Sequence, residues 1–271
     1  MASNMPRTAA TFASPSGSAS GEGGGAITGI VGTGGALAPT APPYAAGVNA
    51  RPHFSIAGIP VRVEPIFLIM ATLLGLQYAE YDTTLVGAWV GVTFVSILVH
   101  ELGHGLALKA FGHPSVIVLH GFGGVTMSRR KLDKARSVVV SVAGSLTALI
   151  VLWVPARSLE GSDWYLDQAV WLRGVVTFTA FANLWWSVAN LLPIRPLDGG
   201  NVMAELFGLP AARRASIVVA AAAGAWALTN DQQLAGIFAL YLAFTNYQEL
   251  VAERAGRDVD AFEVDGPAPP T

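Results

Sequence analysis

The chain has 271 residues, 52% of them hydrophobic and only 13% charged, with a mean hydropathy of +0.50. Soluble domains average about 25% charged residues, so this composition excludes an ordinary soluble domain and points to an integral membrane protein in a lipid bilayer. A net charge of −2, with 16 basic residues in short clusters, offers no basic face for nucleic acid, and the absence of cysteine excludes disulfides, thiolate metal ligands and cysteine nucleophiles.

Residues 1–52 are rich in Ala, Gly, Ser, Thr and Pro and show no periodicity, which predicts a disordered tail, either featureless or a tether. The tail has no basic start followed by an apolar core, so it does not read as a secretory signal. Six apolar segments follow in residues 53–252. The first, Pro65 to Tyr78, is short, and Ile59–Val63 ahead of it reads as a strand or interfacial stretch. The second runs from Leu85 to Phe111, uncharged until its centre and long enough to cross a bilayer. The third is Ser137 to Val154, the fourth Gln168 to Leu192, the fifth Ala215 to Leu228 and the sixth Leu234 to Tyr247; the last two are borderline in length and could form a hairpin. Between segments two and three, Pro114–Met127 has a β-branched run broken by glycines. It predicts one or two short strands with a turn at Gly121 to Gly124. Such an edge could hold an extended substrate by backbone pairing, or be a plain surface loop. Residues 253–271 read as a loose tail. The expected fold is therefore an all-α membrane protein of about six transmembrane helices with a short β element between helices two and three.

Charge sets an expected orientation. With the N-terminus in the cytoplasm, all basic residues except Arg157 and Arg173 fall on the cytoplasmic side, as does the C-terminus. This is the positive-inside pattern. Trp153, Trp164 and Trp171 gather at the outer ends of segments three and four, as in an aromatic belt.

Segment two carries His100-Glu101-Leu102-Gly103-His104. On a helix, i and i+4 share a face, so both imidazoles can reach one metal ion, and Glu101 projects beside the open position where a water would sit. That is the layout of a zinc hydrolase: two ligands and a general base. Ionisable groups within a membrane helix cost about 3 kcal/mol each to insert, so they default to a functional reading; the bland alternative is a polar cluster that packs the bundle. His100 lies 15 positions beyond Leu85, about 22 Å along the helix. The metal is thus expected inside the membrane, nearer the cytoplasmic face. His113 and His120 read as surface or loop histidines.

Segment four ends in Asn190-Leu-Leu-Pro-Ile-Arg-Pro-Leu-Asp198-Gly-Gly200. Two prolines stop the helix. Asp198 then precedes Asn201–Phe207, a short predicted helix. Asp198 could cap that helix, or supply the third ligand that a catalytic zinc commonly has. Glu64 and Glu205 are the other acids nearby.

The membrane-embedded His100-Glu-Leu-Gly-His104 paired with Asn190-x-x-Pro-x-x-Pro-Leu-Asp198-Gly-Gly resembles the site-2 protease family of intramembrane metalloproteases, over about residues 58–250. Gly121-Phe-Gly-Gly124 and Ser141-Val-Ala-Gly144 also look like family features, although Ser145 and Ala148 stand where the family more often has Pro and Asn. The six-segment count resembles the smaller prokaryotic members, and neither an inserted PDZ domain nor a C-terminal CBS domain is expected. The resemblance implies zinc as cofactor, held by His100, His104 and Asp198, with Glu101 as general base. It places Asn190 at the substrate or the developing oxyanion; a side-chain amide can do this, but Asn190 could equally pin the turn after segment four. The implied reaction is peptide-bond hydrolysis in or beside a membrane-spanning substrate, such as a membrane-bound anti-sigma factor or regulator, in the bacterial cytoplasmic membrane. Serine and aspartyl intramembrane proteases would need Gly-x-Ser-Gly or Gly-x-Gly-Asp, and neither occurs. A zinc-binding, non-proteolytic chaperone or adaptor of the same fold is the alternative, and a midplane metal transporter a third reading.

Overall fold

The computed structural model describes residues 52–121, 123–128 and 132–264, with side chains as far as 255. The expected N-terminal tail falls outside these residues except for Pro52, as do Arg129, Arg130 and Lys131 of the basic cluster.

Strands β1 (Phe54–Ile56) and β2 (Ile59–Val63) form a hairpin. Its turn places Ala57 and Gly58 at positive φ of 50° and 75°. Helix α1 (Pro65–Gly75) follows, with a 3-10 turn at Leu76–Tyr78, and then the long helix α2 (Thr83–Ala110). Asp82 starts α2 by accepting bonds from the Thr84 amide at 2.8 Å and its hydroxyl at 2.7 Å. Gly112, at φ 74°, lets the chain turn away at the other end. It leads into β3 (Ser115–His120) and β4 (Gly123–Ser128). These pair antiparallel, and β3 pairs parallel with β2, giving one four-stranded sheet in the order β1-β2-β3-β4. The sheet extends further than the short β element expected between helices two and three: it takes in Ile59–Val63, which could be read as a strand or an interfacial stretch, and adds β1. Ile117, Val118 and Leu119 of β3 are fully buried, the continuous apolar run of a strand covered on both faces. Ile117 and Leu119 join Ile59, Val61, Phe67 and Ile97 in a core that fastens the sheet to α1 and α2.

Helix α3 (Lys134–Ala148) starts on Asp133, whose carboxylate accepts from the Arg136 amide. It continues through a π-helical stretch at Leu149–Trp153 into α4 (Val154–Leu159). Pro155 explains the stretch: it brings no N–H and its ring would clash with the carbonyl four residues back, and a wider turn relieves both. A short helix α5 (Asp163–Leu166) leads to α6 (Val170–Asn190), α7 (Asp198–Phe207), α8 (Leu209–Thr229) and α9 (Gln233–Val264). Helix α9 continues past residue 253, where a loose tail was expected. Good helix formers such as Glu253, Arg254 and Ala255 carry it on.

Three described helical segments are long and apolar enough to cross a membrane: Thr83–Ala110, Lys134–Leu159 and Leu209–Thr229. That is half the count of six expected from the sequence. Pro65–Tyr78 is too short by this measure. Helix α6 has the length but not the apolarity, because Arg173, Asn183, Asn190 and three tryptophans interrupt it.

Candidate metal centre

Helix α2 brings His100 and His104 to one face, one turn apart, as i,i+4 spacing requires. Their Nε2 atoms lie 3.1 Å apart. The carboxylate oxygen Oδ2 of Asp198 sits 3.2 Å from the first and 3.4 Å from the second. Among the described residues, this is the group of His, Asp and Glu side chains that could hold a metal ion.

The Nδ1 of His104 lies 2.7 Å from the carbonyl oxygen of Val140 on α3. A carbonyl only accepts, so Nδ1 carries the proton and Nε2 offers a lone pair. Asp198 Oδ2 is buried and has no hydrogen-bond donor. The lone pair of His104 Nε2 and the Asp198 carboxylate therefore face one another at close range, an arrangement that a cation relieves. Ligands 2.0–2.1 Å from a tetrahedral zinc are separated by about 3.3 Å, which matches the triangle found here. The donor set of two imidazoles and one carboxylate also suits zinc.

The neighbouring chain is shaped to leave this space open. Gly144 on α3 faces the two imidazoles; a Cβ there would stand 2.9 Å from His100 Nε2 and closer still to His104 Nε2. Gly103 lets α3 approach α2, since its Cβ would meet the Ala143 carbonyl oxygen at 2.7 Å. Asp198 is the first residue of α7, not its cap: Leu197 holds the cap position and no side chain makes a capping bond there. The capping alternative is thus not what this side chain does. Gly199 and Gly200 let the Leu191–Arg195 backbone fold directly over the start of α7; a Cβ on Gly200 would lie 2.5 Å from the Arg195 nitrogen, and one on Gly199 would overlap the Leu191 carbonyl.

That loop is gripped from outside. The Arg195 amide donates to Ser216 Oγ of α8 at 2.8 Å, and Asn246 Nδ2 of α9 donates to the Arg195 carbonyl at 2.8 Å. Both polar side chains are buried. Sequence reasoning missed this grip, because polar residues in weakly apolar segments resemble ordinary helix surface.

Glu101 is only 6% exposed. Its Oε2 accepts from the Thr126 hydroxyl of β4 at 2.8 Å. Asn183, fully buried on α6, donates to Ser96 Oγ of α2 at 2.9 Å, one turn before His100. Asn190, at the end of α6, donates from Nδ2 to the Trp186 carbonyl at 2.9 Å. That is the local, helix-ending use of its amide. Glu64 lies by Arg62 at 3.8 Å, and Glu205 accepts from Ser137 at 3.0 Å, so both acids are engaged elsewhere.

No family model matches the chain. It is 28% identical over 152 residues to a zinc metalloprotease of Methanocaldococcus jannaschii, covering 55% of this chain and 43% of that protein. It is 27% identical over 165 residues to a Synechocystis protein and 30% identical over 179 residues to the Mycobacterium tuberculosis protein Rip3. Both are provisionally named as zinc metalloproteases. Those matches cover 56% and 57% of this chain and 42% and 43% of the relatives, so the chain spans less than half the length of the curated relatives it matches. A solved site-2 protease from Methanocaldococcus jannaschii aligns with 73% of this chain and 93% of its own, at 21% identity and a TM-score of 0.48. His100-Glu-Leu-Gly-His104 and Asp198 thus meet at one point in a chain that is similar, over 55–57% of its length, to proteins named as zinc metalloproteases.

Proposed function

We propose that this chain is a zinc-dependent endopeptidase that cleaves peptide bonds in or beside the membrane-spanning segments of other proteins. The observation that carries the reading is the triangle of His100 Nε2, His104 Nε2 and Asp198 Oδ2, with the buried Glu101 carboxylate on the same helix. The imidazoles and the carboxylate would hold the zinc, and Asp198 would cancel one of its two charges in a low-dielectric bundle. Zinc in such a site acts as a Lewis acid on the scissile carbonyl and makes water a competent nucleophile near neutral pH. Glu101 takes a proton from the attacking water and returns it to the leaving nitrogen, a two-way transfer for which a carboxylate is suited. Asn190 stands at the end of α6 and could turn its amide to the substrate, though the bond to Trp186 supports an anchoring role equally well.

Within this reading, α1, α6 and α9 complete a six-segment bundle around α2, α3–α4 and α8. Both ends of the chain lie in the cytoplasm, and the membrane is the bacterial cytoplasmic one. The substrate class is membrane proteins, with membrane-bound anti-sigma factors or regulators as the family-level expectation.

The test is Glu101→Gln in the full chain, assayed on a tagged membrane-spanning substrate beside metal analysis. Zinc should stay near one per chain, and cleavage should fall by about 10²–10⁴-fold, the usual weight of a general base. Cleavage at the native rate would remove Glu101 from the chemistry. A wild-type chain that binds zinc and cleaves nothing would favour the adaptor reading.

A further inference from the structure

The bond to Glu101 from outside its own helix comes from β4. Residues two apart on a strand face the same side, and β4 turns Gly124 and Thr126 toward Glu101. At 124 the strand provides room: a Cβ there would stand 2.5 Å from Glu101 Cγ and 2.9 Å from Oε1. At 126 it provides a donor: the Thr126 hydroxyl lies 2.8 Å from Glu101 Oε2 and 3.0 Å from the carbonyl oxygen of the same residue. A hydroxyl has one proton, so it serves one of these acceptors at a time. A hydrogen bond to a carboxylate is the stronger of the two.

We propose that Thr126 is the positioning residue for Glu101: its hydroxyl holds Oε2 and leaves Oε1 as the oxygen that reaches the substrate water. The inference rests on the reading of Glu101 as the base. Without the hydroxyl, a buried carboxylate with several rotatable bonds, in the space left by Gly124, turns among orientations of which few are productive. The strand places this donor with the same backbone pairing that builds the sheet: Thr126 is opposite Ile117 of the fully buried β3. The base is therefore held from two elements, α2 through its backbone and β4 through its side chain.

Two measurements on the full chain test this. In the first, Thr126→Val keeps the shape and removes the hydroxyl. Zinc content and KM should stay at the wild-type level while kcat falls about 10–100-fold, as for other groups that orient an active-site residue. Thr126→Ser restores the hydroxyl and should recover most of kcat. Wild-type kcat in Thr126→Val, or no recovery in Thr126→Ser, would overturn the proposal. The second needs no activity. In the metal-free protein in detergent, Thr126→Val should lower the thermal midpoint in the wild-type background and leave it unchanged in a Glu101→Ala background, where Oε2 is gone. An equal drop in both backgrounds would show that the hydroxyl serves the carbonyl oxygen instead, and the positioning role would fall. If the valine variant does not fold, Thr126→Ala and Thr126→Ser are compared in the same two backgrounds. A protein that cleaves nothing refutes the protease reading, whereas the thermal comparison still decides whether Thr126 holds Oε2.

Discussion

At the scale of single residues, the site is built as much from absences as from ligands. Gly144 is the clearest case, because one methyl there would occupy the space between the imidazoles. Gly144→Ala should fold, since alanine favours a helix, and should lose zinc outright in metal analysis of the purified protein. Retained zinc would mean that α3 can back away from α2. Asp198→Asn makes a different point. It keeps the shape and removes the charge, so a capping role would survive it and a ligand role would not. With Leu197 at the cap and Oδ2 facing two imidazoles, the expected result is a fall in zinc affinity of about 100-fold or more, with cleavage lost in parallel. Full zinc and full activity would remove Asp198 from the site. The grouping of His100, His104 and Asp198 was legible in the sequence because the two histidines obey a local rule of helix geometry. A zinc ion held there would need a carboxylate to balance its charge, and Asp198 lay beside a helix end at the same expected depth. Thr126, Asn183 and Asn246 were not legible. Each acts across a gap in sequence, and its type alone marks no function.

At the scale of elements, the same division holds. Helix spans could be read from apolar runs, and α2 was found within a few residues of its observed ends. The sheet was less legible, since β2 and β3 are parallel and their partner positions, such as Val61 and Ile117, lie far apart in sequence. No local pattern announces such a pairing. The α8–α9 pair packs through facing glycines: a Cβ on Gly224 would meet Leu240 at 2.8 Å, and one on Gly236 would meet Leu228 at 2.6 Å. The close approach lets Ser216 and Asn246 hold the Arg195 backbone from two sides, three residues before Asp198. Asn246→Ala leaves the partly buried Arg195 carbonyl without this donor, a loss worth about 1 kcal/mol. The expected outcome is a zinc affinity weakened about tenfold in a chelator titration, with the helices still packed. An unchanged affinity would show that Ser216 alone fixes the loop.

At the scale of the whole molecule, the surface demands lipid. Only 33%, 22% and 28% of the most apolar windows of Thr83–Ala110, Lys134–Leu159 and Leu209–Thr229 are buried inside the protein. Side chains such as Leu73, Ile150, Val218 and Phe244 stand more than half exposed. Soluble proteins rarely leave apolar patches of this extent in water. The exposed tryptophans fall into two groups along the chain: Trp164, Trp171 and Trp226 near one set of helix ends, Trp185 and Trp186 near the other. Belts at both interfaces would produce that division. Together with the basic residues, it supports the proposed orientation, which three separate loops can test. Ser128 closes β4 ahead of the basic cluster and would lie on the cytoplasmic side. Ser162 caps α5 and Asn230 ends α8, and the proposed orientation puts both on the outer side. The chain has no cysteine of its own, so Ser128→Cys, Ser162→Cys and Asn230→Cys each give a single reporter. With a membrane-impermeant maleimide on intact cells, the positions 162 and 230 should react and 128 should react only after lysis. Position 128 reacting together with 162 would reverse or void the map. Position 230 reacting only after lysis would show that α8 and α9 do not cross, and would reduce the bundle below six segments.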